Sequence, residues 1–264
     1  MSTNNYILTI AGLDPSSGAG LTSDIKTFES FGFYGLSVCT SVTIQNDVDF
    51  KASHWVTPKV ILKQITTLFE RFDIDTVKIG IVENWEILLT IINKLIELNA
   101  EIKIILDPVL KASAGYEFHS NERQDKLDEI LEKVFVITPN YDEIKGLYPD
   151  KNRRDTIKYI SNKTSIYLKG GHRFDKKGWD ELYHHKIIKC WLPPLANKIF
   201  NKHGSGCVLS AALASNLKSG LSLEEAAHHT KKYIEAFLNS NETLLGVHKY
   251  ESLKQSKGSI KAQQ

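Results

Sequence analysis

The chain has 264 residues, 42% of them hydrophobic, and its 33 lysines and arginines nearly balance its 31 aspartates and glutamates. A chain of this length can bury a full core, and a balanced charge without a basic block argues against a nucleic-acid partner. We expect no membrane span and no signal peptide, because the apolar run at the start ends by Gly12 and Asp14.

The three cysteines, Cys39, Cys190 and Cys207, lie far apart, and none belongs to a CxxC motif. An odd number of scattered thiols is typical of a reduced protein, and it argues against a disulfide framework and against zinc. These features predict a cytoplasmic protein.

Short β-branched runs alternate with longer helical patterns along most of the chain. Several of the runs are apolar throughout, as expected when both faces of a parallel sheet are covered. The predicted strands are 6–11, 36–44, 76–82, 102–106, 134–138 and 165–168. The predicted helices between them are 23–31, 58–72, 85–99 and 121–133.

Towards the end of the chain, residues 181–191 alternate between polar and apolar side chains and predict an antiparallel edge strand or hairpin. A capping box at Ser222 to Glu225 opens a last helix, which runs to about Asn239. The whole pattern predicts an open, mostly parallel α/β sheet with helices on both sides. We expect one domain over residues 1–264, with a polar tail after Leu253.

A glycine turn, His203-Gly204-Ser205-Gly206-Cys207, precedes an alanine-rich apolar stretch that predicts a buried helix. Such a turn directs unpaired N–H groups and the positive end of the helix dipole at one point, which makes an anion site. A thiol at Cys207 is expected to ionise more easily there. The alternative is ordinary loop geometry, with Cys207 a small residue that opens a buried helix.

Polar residues also follow several predicted strands, where open parallel sheets bind ligands. They are the loop 12–20 with Asp24 beyond it, Gln45, Asp107, Asn140 with Glu143, and Lys169. Singly, each has a structural alternative: Asp-Pro and Pro-Asn favour turns, Asp24 could cap a helix, and Lys169 could be a solvated charge. Together, carboxylates near Asn140 suit hydrated Mg²⁺ and Lys169 suits phosphate. No Walker sequence is present, which excludes a P-loop enzyme.

Taken together, these segments closely resemble the hydroxymethylpyrimidine/phosphomethylpyrimidine kinases of the ribokinase superfamily, in the family's order and spacing. The resemblance covers roughly Tyr6 to His248. The segments that carry it are 10–20 (IAGLDPSSGAG), 24–28 (DIKTF), 45–46 (QN), 78–80 (KIG), 107–109 (DPV), 137–143 (ITPNYDE), 168–172 (LKGGH) and 203–207 (HGSGC).

The resemblance implies a three-layer α/β/α ribokinase-like fold and phosphoryl transfer from ATP with Mg²⁺. The acceptor that it implies is 4-amino-5-hydroxymethyl-2-methylpyrimidine or its monophosphate, in thiamine biosynthesis. Gln45 would hydrogen-bond the polar edge of the pyrimidine, with Asp24 and Gly12 in the same pocket. The resemblance to this family also implies a homodimer.

For the phosphate chemistry, the resemblance implies that Asn140 and Glu143 form the Asn-x-x-Glu motif that organises magnesium and phosphate. Asp107 would be an outer partner of the metal, and Lys169 would contact the ATP phosphates. The anion hole would consist of Gly204, Ser205 and Gly206. Cys207 stands where most relatives have an aspartate that acts as the base.

The chain departs from the family pattern at four places: Ser17 replaces a glycine, Ser205 replaces a threonine, and segments 110–115 and 244–248 differ. Two other functions stay open, a pyridoxal kinase on the same fold and a non-catalytic sensor of thiamine precursors. A sensor should have lost part of the phosphate machinery. A dinucleotide-binding oxidoreductase is disfavoured, because Leu209 occupies the third glycine position of its motif.

Overall fold

Nine strands form a single sheet in a computed structural model that describes residues 5–110, 124–171, 173, 175–184, 187–196 and 198–249. Along the chain the strands are β1 (Tyr6–Leu13), β2 (Tyr34–Gln45), β3 (Phe50–Trp55), β4 (Thr76–Ile79), β5 (Lys103–Leu106), β6 (Val136–Ile137), β7 (Ser165–Leu168), β8 (Asp180–His184) and β9 (Ile187–Leu192). Across the sheet their order is β3-β2-β1-β4-β5-β6-β7-β8-β9.

Eight helices are formed by the described residues. They are α1 (Gly20–Ser30), α2 (Pro58–Phe69), α3 (Trp85–Leu98), α4 (Gln124–Lys133), α5 (Tyr141–Leu147), α6 (Arg153–Ile160), α7 (Ser205–Lys218) and α8 (Leu223–Leu238). None of these helices has both the length and the apolar character needed to cross a bilayer.

The central strands β2, β1, β4, β5, β6 and β7 pair in parallel, and the edge strands β3, β8 and β9 pair antiparallel. The prediction of a mostly parallel α/β sheet is therefore confirmed, as is the antiparallel hairpin near its edge. Strand β3 and helices α5 and α6 were not predicted. That the whole chain is one domain stays a prediction, and the tail after Leu253 lies outside the described residues.

Two hydrophobic cores lie on opposite faces of the sheet, and consecutive strand residues divide between them. Leu8 of β1 and Ile104 of β5 belong to the core covered by α2 to α6, whereas Ile7 and Ile105 belong to the core covered by α1, α7 and α8. This alternation produces the three-layer α/β/α arrangement.

Helix α7 is the element that matters most for the site. Its side chains from Val208 to Leu217 are all buried, and three of them are alanines, which lets the helix pack closely on β1, β4 and β5. Its N-terminus consequently lies at the carboxyl ends of the parallel strands, where this class of sheet binds ligands.

Candidate active site

A cleft of about 1130 Å³ opens at the carboxyl ends of the parallel strands. All of the predicted site residues except Asp24 line it. They are Gly12, Gln45, Asp107, Asn140, Glu143, Lys169, Gly204, Ser205, Gly206 and Cys207. Segment 111–115, where the chain departs from the family pattern, and His172, which carries part of the resemblance, lie outside the described residues.

Lys169 is placed between two carboxylates in the middle of the cleft. Its Nζ lies 2.8 Å from Asp107 Oδ1 and 3.6 Å from Glu143 Oε2. Burial would lower the pKa of Lys169, but the two carboxylates raise it above its ordinary value. The lysine is therefore a fixed positive charge at neutral pH.

Asp107 is held in position by two hydroxyl groups that the sequence analysis did not assign. Thr138 Oγ1 donates to Asp107 Oδ1 at 3.1 Å, and Ser210 Oγ donates to Oδ2 at 3.3 Å. Because Asp107 and Thr138 follow neighbouring parallel strands, and Ser210 lies on the second turn of α7, three elements fix one carboxylate. The sequence marks Thr138 only as the residue before Pro139.

Asn140 and Glu143 form a capping box at the start of α5. Asn140 Oδ1 accepts hydrogen bonds from the backbone N–H groups of Asp142 and Glu143, and Glu143 Oε2 accepts one from the N–H of Asn140 at 2.7 Å. The Asn-x-x-Glu motif therefore has a structural task in addition to any metal role. Burial raises the pKa of Glu143, an effect that Lys169 opposes.

The glycine turn and the loop after β1 approach each other backbone to backbone. Gly204 has φ of 73°, and a Cβ there would lie 2.0 Å from the carbonyl oxygen of Gly18. Only glycine tolerates both the positive φ and the lack of room for a Cβ. A Cβ on Gly206 would lie 3.3 Å from Lys169 Nζ. The first N–H groups of α7, which have no partner within the helix, are thus grouped beside the Lys169 ammonium.

Cys207 lies in the first turn of α7, but its thiol is not activated in the way the turn alone predicts. Burial raises the pKa of Cys207 to about 11, outweighing the lowering effect of Lys78 and of a hydrogen bond from the backbone of Gly20. The expectation that this thiol ionises more easily is therefore wrong for the free protein. Desolvation outweighs the helix N-terminus here.

Asp24 lies beneath the floor of the cleft, away from the surface that a substrate could touch. It is fully buried, its Oδ2 is 2.7 Å from Lys78 Nζ, and it accepts a hydrogen bond from Thr9 Oγ1 at 2.6 Å. The structure thus does not bring Asp24 to the cleft with the other predicted residues. The clue to this pair was Lys78, a charged residue inside an apolar strand, because a buried charge requires a buried partner.

The two ends of the cleft differ in character. At one end, Gln45 closes β2, and its Nε2 donates to Thr43 Oγ1 at 2.9 Å; Gly12 and Phe50 lie nearby on the same wall. The other end has an apolar wall with charged residues beside it, and the sequence analysis did not identify these residues. They are Pro194, Ile199, Leu209, Ile234, Leu238, Lys177, Lys231 and Glu235.

Known proteins resemble this chain over most of its length. It is 35% identical over 244 residues to the hydroxymethylpyrimidine/phosphomethylpyrimidine kinase of Aquifex aeolicus, covering 88% of this chain and 94% of that protein. A crystal structure of the phosphomethylpyrimidine kinase from Clostridium difficile superposes with a TM-score of 0.72 at 33% identity, covering 87% of this chain and 97% of that one. The pyridoxal kinase of Staphylococcus aureus, in complex with AMP-PCP and pyridoxal, gives a TM-score of 0.77 at 25% identity, covering 90% and 89%.

These neighbours share the ribokinase-like fold that the resemblance implied, so that expectation is confirmed. The sequence profile of the phosphomethylpyrimidine kinase family matches residues 14–252, which include all of the predicted site residues except Gly12. The chain therefore belongs to the phosphomethylpyrimidine kinase family.

Proposed function

We propose that this protein transfers the γ-phosphoryl group of ATP to 4-amino-5-hydroxymethyl-2-methylpyrimidine and then to the resulting monophosphate. The observation that carries the proposal is the position of Lys169, which lies between Asp107 and Glu143 and beside the first turn of α7. An ammonium and a group of backbone N–H groups on one side of a cleft can stabilise the charge of a phosphoryl group in transfer.

The donor set of the cleft fits a hydrated magnesium ion. Mg²⁺ keeps several waters and binds through one or two carboxylates together with substrate phosphates. Asp107 and Glu143 supply two carboxylates against the single positive charge of Lys169, so the cluster keeps a net negative charge that a divalent cation would neutralise. Bound there, the ion would supply charge neutralisation between the phosphates.

We assign the acceptor to the Gln45 end of the cleft and the nucleotide base to the end lined by Ile199, Leu209 and Ile234. A primary amide offers both a donor and an acceptor, which match the polar edge of an aminopyrimidine. An apolar wall suits a flat heterocycle. The phosphates would then lie between the two ends, at Lys169 and the glycine turn.

In the first step, the hydroxyl oxygen of the alcohol forms a bond to the γ-phosphorus while the bond from that phosphorus to ADP breaks. The hydroxyl proton must leave, and Cys207 as thiolate would accept it. Because the pKa of this thiol is about 11, only a small fraction carries that charge at neutral pH. In the second step the attacking phosphate oxygen is already anionic, so no base is required.

Pyridoxal is the second candidate acceptor, because a pyridoxal kinase complex is among the similar solved structures. The sensor hypothesis is weaker, since Asp107, Asn140, Glu143, Lys169 and the glycine turn all line the cleft. Cytoplasmic location and a homodimer stay predictions, and light scattering of the purified protein tests the latter.

The deciding experiment is ATP-dependent phosphorylation of three acceptors side by side: the pyrimidine alcohol, its monophosphate and pyridoxal. We expect the highest kcat/KM with the pyrimidines and activity only with Mg²⁺ present. Turnover of pyridoxal alone would assign the protein to vitamin B6 salvage. ATP binding without turnover of any acceptor would support the sensor.

A further inference from the structure

Three metal-ligating side chains meet on β9 and α8, and none of them lines the catalytic cleft. The sulfur of Cys190, a carboxylate oxygen of Glu224 and a ring nitrogen of His228 all lie within 4.8 Å of one another. Cys190 is half-buried, whereas Glu224 and His228 are exposed. This is a mixed sulfur, oxygen and nitrogen donor set.

The fold brings these residues together although they are far apart in sequence. Cys190 pairs with Leu182 across the β8–β9 hairpin, and α8 packs against β9. Glu224 and His228 are four residues apart on α8 and therefore share one face of the helix. The capping box of α8 uses Ser222 and Glu225, so Glu224 is not the acid that caps the helix.

The spacing of the cysteines in sequence argues against zinc, but the fold brings other ligands to Cys190, and we propose that Cys190, Glu224 and His228 form a zinc site with three protein ligands and water in the fourth position. Zinc binds cysteine sulfur at about 2.3 Å and histidine nitrogen or carboxylate oxygen at about 2.0–2.2 Å, which places tetrahedral ligands about 3.5 Å apart. The present separations need only about an ångström of closure, which the exposed side chains of Glu224 and His228 supply by rotamer changes. Thiolate and imidazole together select zinc over magnesium or calcium.

The electrostatics give zinc binding a distinctive proton balance. A cysteine thiol with its ordinary pKa of about 8.5 is mostly protonated at neutral pH. The titratable groups Glu224 and His228 of α8 and Tyr167 of β7 lie near Cys190. Zinc binds thiolate, so binding must displace the thiol proton. We expect about one proton released from Cys190 for each zinc bound.

Binding should also tie β9 to α8, because the ligands come from both elements. Zinc that binds the folded chain more tightly than the unfolded chain raises the melting temperature. Cys207 and the carboxylates of the cleft offer zinc a second place to bind, so the test must isolate Cys190. A matched control is Cys39→Ser, which removes another half-buried thiol, located on β2.

The experiment is calorimetric titration of the metal-free protein with ZnCl₂ at about pH 7.5, in two buffers of different ionisation enthalpy. Compared with wild type, Cys190→Ser should bind one zinc equivalent fewer, or bind that equivalent at least tenfold more weakly. It should also release about one proton fewer, and zinc should no longer raise its melting temperature. His228→Gln should weaken the same equivalent, and Cys39→Ser should behave as wild type. Circular dichroism of each metal-free variant checks that it is folded.

Cobalt provides an independent readout, because a Co²⁺–thiolate bond gives a charge-transfer absorption in the near ultraviolet. That band should appear in wild type and in Cys39→Ser and be weakened in Cys190→Ser. The proposal is overturned if folded Cys190→Ser and wild type bind zinc with equal stoichiometry, affinity and proton release. It is equally overturned if wild type binds no zinc at submillimolar concentrations.

Discussion

His203 Nε2 lies 2.8 Å from Asp14 Oδ2, and this pair joins the loop after β1 to the turn before α7. Asp14 is buried and also accepts hydrogen bonds from the backbone N–H groups of Ser16 and Ala19, each at 2.8 Å. Burial alone would raise the pKa of Asp14, but these hydrogen bonds lower it below 3.8. One carboxylate thus holds the loop after β1 against the turn before α7.

Asp14→Asn should destabilise the protein by about 1–3 kcal/mol, because an amide nitrogen would then face some of these N–H donors. Since the pKa of Asp14 is lower in the folded state, its contribution is present at neutral pH and is lost as pH falls below 3.8. The difference from wild type in urea unfolding should therefore shrink in acid. Asp73→Asn, at an exposed site between α2 and β4, is the control. An equal loss in both variants would contradict the role of Asp14.

Glu143→Gln should lower kcat about 100-fold or more, because it removes a negative charge from the proposed magnesium site. Stability should change by less than about 1 kcal/mol, since a glutamine oxygen can still accept the hydrogen bond from the N–H of Asn140. Glu225→Gln makes the same change in the capping box of α8 and should leave turnover unchanged. Normal kcat in a folded Glu143→Gln variant would remove Glu143 from catalysis.

Asn140→Ala should lower kcat and should also cost about 1 kcal/mol of stability, because Asn140 caps α5. Asn140→Ser restores a capping oxygen without the amide. If the amide contacts phosphate, Asn140→Ser should recover the melting temperature but not the turnover. Recovery of both would assign Asn140 to the cap alone.

Gln45→Ala should weaken binding of the pyrimidine by about 1–3 kcal/mol, because the polar edge of the heterocycle would be left unpaired. ATP affinity should stay the same, since Gln45 lies at the opposite end of the cleft from the apolar wall. Calorimetric titration with each ligand separately measures both effects. A loss of ATP affinity with normal pyrimidine affinity would mean that the two ends are assigned the wrong way round.

Cys207 should matter for the first phosphorylation and much less for the second. Cys207→Ala removes the proposed base, which only the alcohol requires. Because the pKa of the thiol is about 11, the rate of the first step should rise about tenfold per pH unit between about pH 6 and pH 9, and Cys207→Ala should flatten this rise. Gly206→Val, which crowds Lys169 Nζ, should damage both steps. Equal losses in both steps for Cys207→Ala would assign it a purely structural role.

The sequence predicts the central sheet well because its strands are buried on both faces and are therefore continuously apolar. β7 begins and ends as predicted, at Ser165 and Leu168. β3 was missed because its residues, Phe50–Trp55, lie at the sheet edge and are only partly buried, which weakens their pattern. α5 was missed because seven residues are too few to establish helical periodicity.

The residues of the candidate site also differ in whether the sequence alone could predict them. Those that follow parallel strands, such as Asp107 and Lys169, could be predicted because strand ends share one edge of the sheet. The pairing of Asp24 with Lys78 could not, since it depends on a side chain from another element. The state of the Cys207 thiol could not be predicted either, because the degree of burial comes only with the packed structure.

The close approach of Gly18 and Gly204 also limits how the substrate range of this enzyme can be engineered. A Cβ on Gly18 would lie 2.6 Å from His203 Cδ2, and one on Gly204 would overlap the carbonyl oxygen of Gly18. Lengthening or rebuilding either loop would consequently displace the other, and with it the glycine turn that we propose holds the phosphate. A larger acceptor must instead be admitted by changing side chains at the Gln45 end of the cleft, such as Phe50, which pairs with Gln45 across β2 and β3. Mutagenesis libraries for new vitamin kinases should therefore vary those positions and leave both glycines fixed.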